Sequence, residues 1–125
     1  MNWTIHKTPE RSFVTVVCEN DFNILDHQKM VEDIISRDFW KPGMDVLFDH
    51  RNLRFNSTGY LDMMRASDTH QRYEKQIGNG KAAILMNSLA DFGRGRQFEL
   101  ITVDKVSATL AIFLDEQKAI DWLTL

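Results

Sequence analysis

The chain is poor in the residues that mark specialised protein classes. Its one cysteine, Cys18, excludes an internal disulfide. Cys18 lies in an apolar run, where it is expected to act as a small core hydrophobe. Such cysteine usage suits a reducing compartment. Only two prolines occur, Pro9 and Pro42, both between apolar stretches where a missing N–H does no harm. No repeat, low-complexity tract or linker interrupts the chain. No apolar run reaches the roughly 18 residues needed for a membrane-spanning helix. The opening residues MNWTIHKTPERS lack the apolar stretch of a secretion signal, so a cytoplasmic location is expected.

Positive charge is not in excess either. Fifteen Lys and Arg stand against 18 Asp and Glu, giving a net charge of −3. With a pI of about 5.7, the chain does not read as a nucleic-acid binder, which usually carries a basic face. Catalytic signatures are missing as well. There is no GxSxG elbow, HExxH, CxxC pair, Walker A loop or post-strand GxGxxG. No catalytic residue, metal or cofactor is therefore assigned, and a non-enzymatic role is expected.

What remains is an ordinary globular composition, 43% hydrophobic and 26% charged over 125 residues, read as a single domain spanning 1–125. Trp3 to Lys7 alternates weakly, and Ser12 to Glu19 is rich in β-branched residues; their short connection predicts an antiparallel hairpin. Asp21 or Asn23 can cap a helix whose inner face carries Ile24, Val31, Ile34 and Ile35, with Met30 beside them. Met44 to Phe48 reads as a central strand. Tyr60, Met63, Ala66, His70, Tyr73 and Ile77 recur at helical spacing and predict one long helix capped by Asn56 or Ser57. Lys81 to Asn87 is the next strand. A helix from Leu89 to about Asp104 follows, with Leu89, Phe92, Leu100 and Val103 as its expected inner face. Thr109 to Leu114 and an Asp115-capped terminal helix complete the order β-β-α-β-α-β-α-β-α. Alternating strands and helices imply an α/β domain with a mostly parallel sheet and one antiparallel edge strand.

Two polar groups follow predicted strands. Asp49-His50-Arg51 stands where a parallel sheet places its ligand crevice. Arginine there can grip an anion and histidine can titrate near neutral pH; the plainer reading is a polar strand end. Gly93-Arg94-Gly95-Arg96 can likewise form an anion site near a helix start, or be an irregular helix start. Arg51, Arg94 and Arg96 are expected along one sheet edge.

Three stretches carry a resemblance that covers essentially the whole chain: VLFDHRNLRF, KAAILMNSLADFGRGRQFEL and IFLDEQKAIDWL. In this order they resemble the SpoIIAA-like group of small bacterial proteins, within the STAS fold of the anti-sigma-factor antagonists. That group is also akin to CRAL-TRIO-type lipid-binding domains. In the antagonists a loop ending Asp-Ser-Ser-Gly is phosphorylated on its first serine. The comparable stretch here is Asn56-Ser57-Thr58-Gly59, with Asn56 in place of the aspartate and a gap from Asp49 one residue shorter. The resemblance implies Ser57 as a phosphoacceptor; read on its own, Ser57 is an N-cap.

Two functions follow as expectations. The first is a STAS-like regulatory module that binds a protein partner. The second is a binding protein for a small apolar or anionic ligand, held between the long helix and the sheet. Tyr60, Met63, His70 and Tyr73 would line that pocket, although a histidine on such a stripe is also an ordinary core residue. Asp49, His50, Arg51, Arg94 and Arg96 are the candidate ligand or partner contacts. A homodimer is a further expectation.

Overall fold

The computed structural model describes residues 1–125. Its elements are β1 (Asn2–His6), β2 (Phe13–Asp21), α1 (Ile24–Ser36), β3 (Asp45–Arg54), α2 (Tyr60–Arg72) and α3 (Glu74–Ile77). Then come β4 (Lys81–Leu85), α4 (Leu89–Thr102), β5 (Thr109–Phe113) and α5 (Glu116–Leu123). The strands form one sheet in chain order, β1-β2-β3-β4-β5. β1 pairs antiparallel with β2, and every later pair is parallel. This is the expected mostly parallel α/β sheet with one antiparallel edge strand. No helix is long and apolar enough to cross a membrane.

Strand order equal to chain order has a strong consequence. Each parallel connection steps the same way across the sheet, and such crossovers are right-handed. The connecting helices must then share one face, and α1 packs on α2 and α2 on α4. Beneath them lies the larger core, built on Val14, Val16, Cys18, Val46, Phe48, Ile84 and Ile112. Only α5, with no strand to follow, crosses to the other face. It covers Phe13, Leu47, Ala83 and Leu85 with Ala119 and Leu123. Each fully buried Val, Leu, Ile or Phe side chain contributes roughly 1.5–3 kcal/mol, and the alanines less.

β3 runs six residues past the expected end at Phe48, to Arg54. Its register with β2 advances from Val17↔Asp49 to Glu19↔Asn52, which places an extra residue in β3 at His50–Arg51. That β-bulge reverses the parity of the strand. Val46, Phe48 and His50 face the helices before it, and Leu53 and Phe55 face them after it. The broken alternation hides the strand from a period-two reading.

The expected long helix is two helices. It breaks at Tyr73 without proline or glycine, where side chains on either side are held by different partners. The Tyr73 hydroxyl donates to Glu32 on α1, while Ser107 donates to the Glu74 carboxylate. Its cap differs too. Gly59 is the N-cap, its N–H donating to Asp62 at 3.1 Å, and Asn56 and Ser57 lie in the preceding turn. Asn23 and Asp115 cap α1 and α5 with their own side chains.

α4 is continuous through Gly93 and Gly95, but of its expected inner face only Phe92 packs on the core. Leu89, Leu100 and Val103 are 79%, 68% and 56% exposed. Gly95 and Thr102 are buried instead, with Phe92 and Phe98 packed on the core. The two glycines differ physically. A Cβ on Gly95 would stand 2.9 Å from Ile112 Cγ2, whereas one on Gly93 would meet nothing within 4 Å. Gly93→Ala should therefore stabilise the protein by about 0.5–1 kcal/mol through helix propensity. Gly95→Val should cost about 1–3 kcal/mol through overpacking, both read from urea denaturation midpoints.

Candidate functional site

Between the larger face of the sheet and α1, α2 and α4 lies a cavity of about 70 Å³. Its floor is Phe48 and His50 from β3, Ile84 and Met86 from the β4 region, and Leu110 from β5. Its roof is His27 and Met30 from α1, Met63, Ala66 and His70 from α2, and Arg94, Gly95 and Phe98 from α4. Phe22, Phe55 and Thr58 close it at the carboxyl end of the strands, the side on which open parallel sheets place ligands. Gly95 belongs to this wall because only a residue without Cβ lets α4 settle this close to Ile112.

Three imidazoles meet in these apolar walls. His27 and His70 lie with ring centroids 5.3 Å apart. His27 also packs on Phe22, His70 on Phe98, and His50 between Phe48 and Phe55. The Nε2 of His27 and both ring nitrogens of His50 are buried without a hydrogen-bond partner. Buried polar groups are normally paired, so three such atoms in one apolar pocket are a costly arrangement. Burial pushes His50 and His70 down to about 4, with Asp49 partly offsetting the effect at His50. Burial also holds His27 well below the ordinary histidine value, and repulsion from His70 and His50 adds to it. All three are neutral at physiological pH. They do not form a metal-ligand set, since no three His, Cys, Asp or Glu side chains converge to hold an ion.

The bulge splits the Asp49-His50-Arg51 group. His50 enters the cavity, while Asp49 and Arg51 lie on the opposite face. There Arg51 pairs with Asp49 and with Glu116 of α5, at 2.9 Å each. The Arg51 hydrogen bonds hold the Asp49 carboxyl below the usual carboxylate range. These two therefore tie α5 to the sheet and do not line the pocket. The arginines divide in the same way. Arg94 lines the cavity and pairs with Asp91 at 2.8 Å, whereas Arg96 pairs with Glu99 outside it. Arg51, Arg94 and Arg96 thus do not form one anion site.

Of the expected pocket stripe, Met63 and His70 line the cavity. Tyr60 does not: it sits at the first turn of α2, 57% exposed. Tyr73 is drawn instead to Glu32, at the helix break. Ser57 is exposed in the turn before Gly59 and outside the cavity lining. His27 escaped the sequence reading. Its signal was there, because Ile24, His27, Val31 and Ile34 share the 3-4-3 spacing of an inner helix face. Phe22, Phe55 and Phe98, which surround the imidazoles, were also not picked out; Phe55 depended on the unseen bulge.

Depressed imidazole pKa values fix the sign of the pH response. The unfolded chain takes protons more readily, so this stability is complete above the ordinary value of 6.5 and is lost as pH falls toward about 4. Acidification to about pH 5 should cost on the order of 2 kcal/mol per imidazole. His50→Leu removes two unpaired nitrogens and should add about 1–2 kcal/mol near neutral pH while flattening the acid limb. Urea denaturation at the two pH values measures both effects.

No protein-family model matches the chain, and no curated protein matches it in sequence. Among solved structures it is similar to an uncharacterized protein of the DUF3478 family from Shewanella loihica PV-4, which has a SpoIIAA-like fold. The two superpose with a TM-score of 0.62 over 98% of this chain and 92% of that one, at 15% sequence identity. At this identity the likeness speaks for the fold, and kinship to CRAL-TRIO-type domains has no counterpart in it. The chain has a SpoIIAA-like α/β fold.

Proposed function

We propose that the protein is a non-catalytic binding module that holds a small, largely apolar molecule in the cavity between the sheet and α1, α2 and α4. The observation that carries this reading is the set of unpartnered His27 and His50 nitrogens inside an apolar, phenylalanine-rich wall. A pocket selected only for stability would hold aliphatic side chains there, because an unsatisfied buried polar group costs roughly 1–3 kcal/mol. The nitrogens lie just beneath the apolar lining, and a ligand with an apolar body and one polar head would satisfy both walls and nitrogens once the imidazoles turn toward it. Met30, Met63 and Met86 give the walls some capacity to adapt.

Regulation through a protein partner is a second reading, and it draws on a different surface. Leu89, Leu100 and Val103 form one outward stripe on α4, and Ser57 is exposed. The two readings separate by mutation. Leu100→Glu, outside the cavity, should leave ligand binding unchanged and weaken association only under the second reading.

Titration with propan-1-ol and butan-1-ol, followed by the methyl resonances of Met30, Met63 and Met86, tests the first reading. Saturable shifts are expected, and Ala66→Leu, which fills the cavity from α2, should abolish them. Non-saturable behaviour with every small apolar probe would refute it.

A further inference from the structure

The cavity's charge character narrows what it takes. Every ionisable side chain in its lining is a base: His27 from α1, His50 from β3, His70 from α2 and Arg94 from α4. No carboxylate lines it. The acids beside these bases are committed elsewhere, Asp91 to Arg94 and Asp49, next to His50 in the chain, to Arg51 across the sheet. His27, His50 and His70 also repel one another when charged, which one negative group among them would reverse.

We propose that the ligand is a monocarboxylic acid with a short apolar body, its carboxyl group seated on the His27 and His50 ring nitrogens. This rests on the reading of the cavity as a ligand site. A neutral imidazole offers one N–H donor and one acceptor nitrogen, and a carboxyl group offers complementary partners. The interaction is strongest when one proton is shared within the pair, as imidazolium and carboxylate, in walls of low polarity. Arg94, in the wall and half-exposed, adds a positive charge only partly offset by Asp91.

Volume limits the body of the acid. About 70 Å³ is less than half of the roughly 150 Å³ of an engineered apolar cavity that admits benzene. A body of about three carbons therefore fits before the methionines must move.

Proton balance gives the proposal its own signature. Near neutral pH the free acid is ionised in water and the buried imidazoles are neutral. Seating the acid on an imidazole in a dry site therefore brings one proton in from solvent, whichever partner carries it. Affinity should fall as pH rises from about 6 to 8, by up to about tenfold per unit.

Isothermal titration calorimetry with butanoate and butan-1-ol, in two buffers of different ionisation heat, reads this directly. Butanoate should bind at least about tenfold more tightly than the alcohol, with uptake of close to one proton. His50→Leu should remove that preference while the alcohol still binds, and His27→Leu serves the same purpose should His50→Leu not fold. Equal affinity for acid and alcohol, or no proton uptake, overturns the carboxylate assignment and leaves the cavity a ligand site. Failure of both probes to bind overturns the ligand-site reading and this one with it.

Discussion

The handedness of the crossovers is the constraint on which the rest of this structure depends. Because β2, β3, β4 and β5 are laid down in chain order, a right-handed connection at each step gathers α1, α2 and α4 over one face of the sheet. Three helices on one face leave a seam between themselves and the sheet, lined from α1, α2 and α4. The cavity lies in that seam. The opposite face has only α5, whose place is held by Ala119, Leu123 and the Arg51–Glu116 pair. An exposed pair of that kind contributes no more than about 1 kcal/mol, so apolar packing of α5 is its main attachment.

Within this frame, one irregular residue step matters more than any motif. The bulge at His50–Arg51 lets β3 present His50 to the helices and Arg51 to α5, and then returns Leu53 and Phe55 to the helix side. Without it, Leu53 and Phe55 would point away from the larger core. The same irregularity that completes the core also seats an imidazole in the cavity floor. Bulges commonly sit beside functional sites because they re-aim a single side chain in this way.

Much of the fold was legible because it rests on local patterns. β2, β4 and β5 are short β-rich apolar runs between turn residues, and α1 and α5 carry amphipathic spacing and a capping side chain at Asn23 and Asp115. Elements were misread where a tertiary contact overrode the local signal. α4 is apolar on two sides, so periodicity offered Leu89, Leu100 and Val103 as readily as the face that is buried. The closeness of Gly95 to Ile112 decides between them. At Tyr73 no breaker residue stands in the sequence, and the break follows the hold of Glu32 on one side and Ser107 on the other. The candidate site was legible in part. His50, Met63, His70 and Arg94 were visible as candidates, but their company was not, because Asp49, Arg51, Arg96, Tyr60 and Tyr73 go to other surroundings.

The sequence by itself determined the α/β class, the element order apart from the helix break at Tyr73, the one antiparallel edge, and the absence of any helix able to span a membrane. These follow from periodicity, capping chemistry and the handedness of connections, which act over a few residues or apply to any chain of this pattern. Only the tertiary structure decided which polar residues meet. His27, His50 and His70 are 23 and 20 residues apart along the chain, on α1, β3 and α2, and they converge only when those elements pack over one sheet face. Their burial among phenylalanines, and with it their lowered basicity and unpaired nitrogens, is a property of that packing.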